Sequence, residues 1–364
     1  MVHRRPALFL LMFFIVLVAL QGATAATLVP NADRTEFSFE TERMAGTITV
    51  PGRYHGVTRL IDKKTGRQLI DSRYSALNFY KLMSGSGVMG EPRKMERTSR
   101  HGKNWVEIIW PPTEEHQGTV TARYEVSRPD AIDLAITVET TAAYTDYEVF
   151  LPSYFDKSMR AHLHLKRRGR QPPDLVMPEY NPAFATTLPY FPRDSRGAQI
   201  PLDGRWDGII DFSPMRRYAH CLAFMVDPDN LAAAVLMSDP RDCFGISVRY
   251  HADVDANRLT SYSAFDLGLV GRDLKPDETR TVRARLALTD LDEEFTQPLE
   301  LYKAFLKEKE PQEECSRMSP REREYSHGWQ SRPTDEERNI RGSALPSVGV
   351  SHREDWLAAT KGSP

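Results

Sequence analysis

The chain has 364 residues, with 48 Lys and Arg against 50 Asp and Glu and a formal net charge of −2. That balance lacks the concentrated basic charge that nucleic-acid binding requires, so no nucleic-acid partner is expected. Beyond a short leader, about 340 residues remain, enough for one large β domain or two ordinary ones.

The chain opens like a secretory signal peptide. Arg4 and Arg5 lie in a short positive stretch, and Ala7 to Leu20 is unbroken apolar sequence. Ala23 and Ala25 then form the small-residue A-x-A site that a signal peptidase accepts. The apolar run is 14 residues, too short to cross a hydrocarbon core of about 30 Å as a helix. An uncleaved anchor is the alternative. Cleavage after residue 25 predicts an exported or periplasmic protein with no later membrane span. It leaves 46 basic against 50 acidic residues, a net of −4.

From residue 36 to 289 the chain is dense in β signals. Alternating or β-branched runs fall at 47–50, 105–110, 118–126, 131–140, 221–226, 232–237, 244–250 and 281–288. Turn chemistry separates them at Pro51-Gly52, Thr65-Gly66, Pro129-Asp130, Pro228-Asp229 and Pro276-Asp277. Short strands with no helical period between them predict an all-β fold, a large antiparallel β-sandwich over 26–308. The stretch 152–212, rich in Pro and aromatic residues, reads as an elaborated loop lying over one face of the sheet. One short C-terminal helix follows, with Thr296 as its N-cap and Pro298 in the first turn; Leu299, Tyr302, Phe305 and Leu306 share a face. Residues 309–364 are charged and rich in Pro, Ser and Gly, and are expected to be a disordered tail.

Cys221, Cys243 and Cys315 are an odd set, so at least one thiol is unpaired or intermolecular. Cys221 and Cys243 either pair across neighbouring strands or serve as small buried apolar residues. Their spacing matches no zinc motif.

Two segments carry a family resemblance. Gly46-Thr47-Ile48-Thr49-Val50, Tyr54-His55-Gly56-Val57-Thr58-Arg59-Leu60-Ile61-Asp62 and Gly66-Arg67-Gln68-Leu69-Ile70 look like the opening of a galactose-mutarotase-like β-supersandwich. Leu274-Lys275-Pro276-Asp277-Glu278-Thr279-Arg280 resembles its closing turn and strand. The resemblance implies a scaffold that handles carbohydrate. The Asn-His-x-Tyr-Phe-Asn segment of the aldose epimerases is absent, and Tyr154-Phe155-Asp156 is its nearest echo without the histidine. Mutarotase chemistry is therefore not implied, since a fold does not carry its function with it.

A sugar site needs an aromatic platform beside convergent polar groups. Three clusters have that make-up: Tyr154-Phe155-Asp156, Glu179-Tyr180-Asn181 with Tyr190 and Phe191, and Asp203-Gly204-Arg205-Trp206-Asp207-Gly208. The expected contacts are Trp206, Asp207, Arg205, Tyr154, Asp156, Glu179 and Tyr180. A turn with a packed Trp is the plain alternative for the last cluster. His55, His220 and His251 are the candidate acid/base groups, each with a structural role as its alternative. His162 and His164 share a face, but no third ligand is spaced to complete a metal site, and no metal or cofactor is expected. No nucleophile elbow, phosphate loop, dinucleotide fingerprint or zinc-protease motif is present. The chain reads as an exported carbohydrate-binding protein. Alternatives are an exported epimerase, lyase or hydrolase, or a structural envelope protein without a ligand.

Overall fold

A computed structural model describes residues 26–85, 87–169, 171–178, 189–206, 216–229, 231–251 and 262–308, with the backbone alone for Tyr250 and His251. The leader, Cys315 and the expected tail lie outside the described residues. In chain order the first strands are β1 (Val29–Pro30), β2 (Glu36–Glu40), β3 (Met44–Thr49), β4 (Gly56–Asp62), β5 (Arg67–Gln68), β6 (Lys81–Ser84) and β7 (Gly87–Gly90). Then follow β8 (Thr98–His101), β9 (Trp105–Trp110), β10 (Gly118–Glu125), β11 (Ala131–Thr140), β12 (Tyr144–Phe155), β13 (Arg160–Leu165), β14 (Asp174–Val176) and β15 (Tyr190–Pro192). A five-residue helix α1 (Ser195–Gln199) precedes β16 (Tyr218–Val226), β17 (Ala232–Ser238), β18 (Cys243–His251), β19 (Tyr262–Leu274), β20 (Thr279–Asp290) and helix α2 (Gln297–Lys307).

The strands make three antiparallel sheets. Strands β1 to β5 form one in sequence order, the second runs β14-β13-β16-β17-β20-β11-β10-β9-β8, and the third runs β15-β18-β19-β12-β6-β7. Strict alternation on β10 sends Val120, Ala122 and Tyr124 inward, opposite Val138, Ile136 and Leu134 of β11. The inner face of the third sheet adds Val149, Leu151, Phe155, Phe265 and Leu267, and all join one hydrophobic core. Phe155 and Phe265 lie 4.9 Å apart there. Every residue of β17 is buried, because α2 covers the outer face of the nine-stranded sheet with Pro298, Tyr302 and Phe305. The hydroxyl of Thr296 donates to Asp292, and its oxygen accepts no N–H from the first turn of the helix.

One expectation changes, and the choice left open for the two cysteines falls to the buried, unpaired alternative. The stretch 152–212 is not one long loop: it holds the end of β12, then β13, β14 and β15, and α1. Pro152 and the aromatics beside it sit within a paired strand, with Pro152 opposite Asp266. Cys221 and Cys243 are both free thiols and fully buried. They sit within hydrogen-bonding reach of each other, and burial raises the Cys221 pKa well above the ordinary thiol range. Among the described residues no helix is long and apolar enough to cross a membrane.

Residues 70–80 determine how the site is built. They form no regular strand, yet they run along the free edge of β12. Asn78 donates its N–H to the Pro152 carbonyl (2.9 Å), Tyr80 to that of Phe150 (3.2 Å), and Tyr154 to that of Ser75 (3.2 Å). An isolated bridge joins Ile70 to Phe155. These bonds carry Tyr74 and Tyr80 onto the face of the third sheet that points away from the core. Gly56 makes the approach possible: at φ +96° it sits where a Cβ would come within 2.8 Å of the Ala76 and Leu77 carbonyls.

Candidate functional site

On that face, residues two apart along each strand line up across the sheet. Tyr154 faces Ala264 and then Arg249; Pro152 faces Asp266, Ser247 and Tyr190; Phe150 faces Gly268 and Gly245. Four tyrosines gather at one end. The Tyr74 ring lies 4.8 Å from Tyr54, 4.9 Å from Tyr154 and 5.0 Å from Tyr262, and Tyr154 lies 4.9 Å from Tyr262. Most of these contacts are edge-to-face, the favoured geometry for aromatic pairs. Tyr54, Tyr74 and Tyr154 keep part of their surface open to solvent.

Asp266 lies beside this cluster and is only 3% exposed. The Ser247 hydroxyl donates to its Oδ2 at 2.9 Å. Burial outweighs that bond and the Arg249 charge, and pushes the Asp266 pKa up to about 7. Burial also holds the Tyr154 phenol well above its usual pKa, with Asp266 adding to the effect. The Tyr262 phenol is raised to about 12 by burial. The floor therefore presents the neutral phenols of Tyr154 and Tyr262 beside the Asp266 carboxyl group, which gains or loses a proton near neutral pH.

The other end of the face is closed. Glu148 on β12 is 3% exposed and Arg205 1% exposed. Arg205 NH1 donates to Glu148 Oε2 at 2.9 Å, and its Nε and NH2 donate to Asp203 at 3.0 and 2.8 Å. Burial still lifts the Glu148 pKa to about 7, against the pull of Arg205. Trp206 stands edge-on to Phe150 at 4.6 Å. Glu148, Phe150 and Trp206 line a narrow cleft with Tyr190, Pro201, Ser247 and Gly268. Gly245 lets the Tyr190 ring lie against the sheet, since a Cβ there would fall 1.9 Å from its hydroxyl oxygen.

Of the residues expected from the sequence, Tyr154 is at the centre of this face and Trp206 at its closed end. Arg205 is also there, but its guanidinium is committed to Glu148 and Asp203. Asp156 caps a turn, where its Oδ1 accepts from the Ser158 N–H at 2.9 Å. Glu179, Tyr180 and Asp207 lie outside the described residues, as does the side chain of His251. His55 is fully buried in the core. Its Nδ1 is 3.0 Å from Arg97, and burial drops its pKa to about 3. His220 sits on the outer side of the nine-stranded sheet, 5.5 Å from His164 and 5.9 Å from Tyr302 of α2. His162 and His164 do share a face, packed on Phe224. Among the described residues no group of three or more metal-ligating side chains is assembled.

Asp266, Ser247, Arg249, Tyr54, Tyr74, Tyr80 and Tyr262 were not among the residues expected to form the site. One signal was available: Asp266 and Glu148 are lone carboxylates inside apolar runs (Phe265-Asp266-Leu267 and Glu148-Val149-Phe150). An acid in such a place is either paired or functional.

No protein-family model and no curated protein matches the sequence. Several solved structures follow a similar chain path. One is an Escherichia coli K12 protein provisionally assigned as an aldose 1-epimerase, with TM-score 0.48, 9% identity, and 71% of this chain and 99% of that one covered. Another is galactose 1-epimerase from Lactobacillus acidophilus, with TM-score 0.41, 10% identity, and 74% and 99% covered. A third is a heparan sulfate lyase from Pedobacter heparinus, with TM-score 0.39, 8% identity, and 72% of this chain but 36% of the lyase covered. At such identities the likeness concerns the course of the chain alone and carries no activity or ligand with it.

Proposed function

We propose that the mature protein, exported by its leader, binds a carbohydrate on the outward face of the six-stranded sheet. The observation that carries this reading is the tyrosine floor: four phenol rings around Asp266 and Arg249, part apolar surface and part hydrogen-bonding edge. A pyranose ring offers complementary chemistry, with C–H patches for the rings and hydroxyls for Asp266, Ser247 and the phenols. The test is a glycan array with the protein from residue 26 onward, beside its Tyr74→Ala variant. Binding that falls about tenfold or more on Tyr74→Ala, in protein folded by circular dichroism, is expected. Folded protein that binds no glycan sinks the reading and leaves the ligand-free envelope protein. Export is checked by N-terminal sequencing of protein recovered outside the cytoplasm. A chain beginning at Ala26 is expected, and an intact leader on a cytoplasmic protein removes that part.

Asp266 favours a second reading, that of a glycan-active enzyme. A carboxyl group titrating near 7 suits general acid/base work, and Tyr154 lies in the same electrostatic neighbourhood. Incubation with glycans that bind, followed by NMR of the products, tests it. Turnover that disappears in Asp266→Asn supports an enzyme. No turnover, or turnover that survives the substitution, leaves binding alone.

A further inference from the structure

The floor carries an unusual surplus of positive charge for a mildly acidic protein. Arg249 projects from β18 beside Tyr154, Tyr262 and Asp266, and its charge acts on all three. Its Nε is shielded from solvent and has no hydrogen-bond partner among the described residues. A buried guanidinium N–H without an acceptor costs free energy unless something supplies one. Four more cations lie against aromatic rings of this face, two of them on floor tyrosines. Arg53 lies 5.8 Å from the Tyr54 ring, Arg73 5.2 Å from Tyr74, Arg93 3.9 Å from Tyr80, and Lys81 5.9 Å from Tyr80 and 5.4 Å from Trp206. Arg73 and Arg93 are balanced by Asp71 and Glu91, each at 2.9 Å. Arg249, Arg53 and Lys81 have no carboxylate partner within 4.0 Å among the described residues. Among the described residues the buried carboxyl groups on this face are Asp266, Asp71, which is already paired with Arg73, and Glu148 at the closed end, which is already paired with Arg205.

Resting on the carbohydrate reading above, we propose that the sugar bound on this floor is acidic, and that the Arg249 guanidinium meets its anionic group, a uronate carboxylate or a sulfate ester. Guanidinium binds either anion through two parallel N–H bonds, which an ammonium cannot reproduce. Lys81 and Arg53 then supply long-range attraction rather than geometry.

Calorimetric titration separates the outcomes. The mature protein and its Arg249→Gln and Arg249→Lys variants are titrated with three probes: polygalacturonate, which has carboxylates without sulfate; carrageenan, which has sulfate without carboxylates; and dextran, which is neutral. At least one acidic polymer is expected to bind, more weakly in higher salt. Its affinity should fall about tenfold or more in Arg249→Gln and by less in Arg249→Lys. The preferred acidic polymer tells carboxylate from sulfate. Retained thermal unfolding in Arg249→Lys ensures that a loss in Arg249→Gln is read against a folded control. If dextran binds as well as the acidic polymers and Arg249→Gln changes nothing, while Tyr74→Ala removes binding, the floor is a neutral-sugar site. The proposal then fails and the carbohydrate reading stands. If the folded protein binds none of the three and nothing on the glycan array, both fail.

Discussion

Replacing Asp266 by Asn removes a titrating group and keeps its shape. In the folded protein Asp266 titrates near 7, against an ordinary value of 3.8. The folded state therefore holds a proton that the unfolded chain has released. The stability tied to that proton is fully present below pH 3.8 and is lost as pH rises through 7. At about 1.4 kcal/mol per tenfold, the whole effect is about 4 kcal/mol, and about 2.5 kcal/mol of it falls between pH 5 and pH 8. Asn has no such dependence, and contributions from Glu148 and the histidines cancel between the two proteins. Urea unfolding of the wild-type chain from residue 26 onward and of its Asp266→Asn variant at pH 5 and pH 8 measures the difference. The variant should gain about 2.5 kcal/mol on the wild type between those two pH values. Curves that stay parallel would mean that Asp266 is ionised throughout, and the account of it as a buried neutral acid would be refuted. A gain would also mean that the protein keeps a destabilising acid at neutral pH, which is the behaviour of functional sites.

The remaining expectations concern the support of the site and the core. Arg205→Met should destabilise by about 3–5 kcal/mol, because it leaves Glu148 buried without its partner, while Arg205→Met with Glu148→Met together should recover much of the loss in thermal or urea unfolding. Gly245→Ala should cost about 1–3 kcal/mol by displacing the Tyr190 ring from the sheet, and near-wild-type unfolding would contradict the close packing seen there. Cys221 should be silent to a thiol reagent in the native protein and react on unfolding, because it is fully buried and its thiolate is disfavoured. Fast native reaction at Cys221 would contradict that environment.

Much of the fold was legible because most strands bury one face and leave the other wet. The runs at 105–110, 118–126 and 131–140 match β9, β10 and β11 nearly end to end, and β10 and β11 alternate between buried and more exposed positions along nearly their whole length. The helix was equally plain, since Tyr302 and Phe305 share one face and α2 packs through both. Leader chemistry, cysteine count and net charge belong to the sequence alone and need no fold.

The site was not legible, and the reason is physical. It stands on β12 and β19, two long central strands in which nearly every residue of the middle section is buried. A strand covered on both faces has no alternation to read, so its period disappears into a continuous apolar run. Tyr154 could be named from composition, but its partners come from four separate places: Tyr54 before β4, Tyr74 on the irregular edge of β12, Arg249 on β18, and Tyr262 with Asp266 on β19. Up to 212 positions separate them, from Tyr54 to Asp266. The sequence by itself determined an exported-looking β chain with aromatic residues suited to sugar. Only the tertiary structure decided which of them share a surface, because a site assembled across strands depends on register, and register is set by long-range pairing.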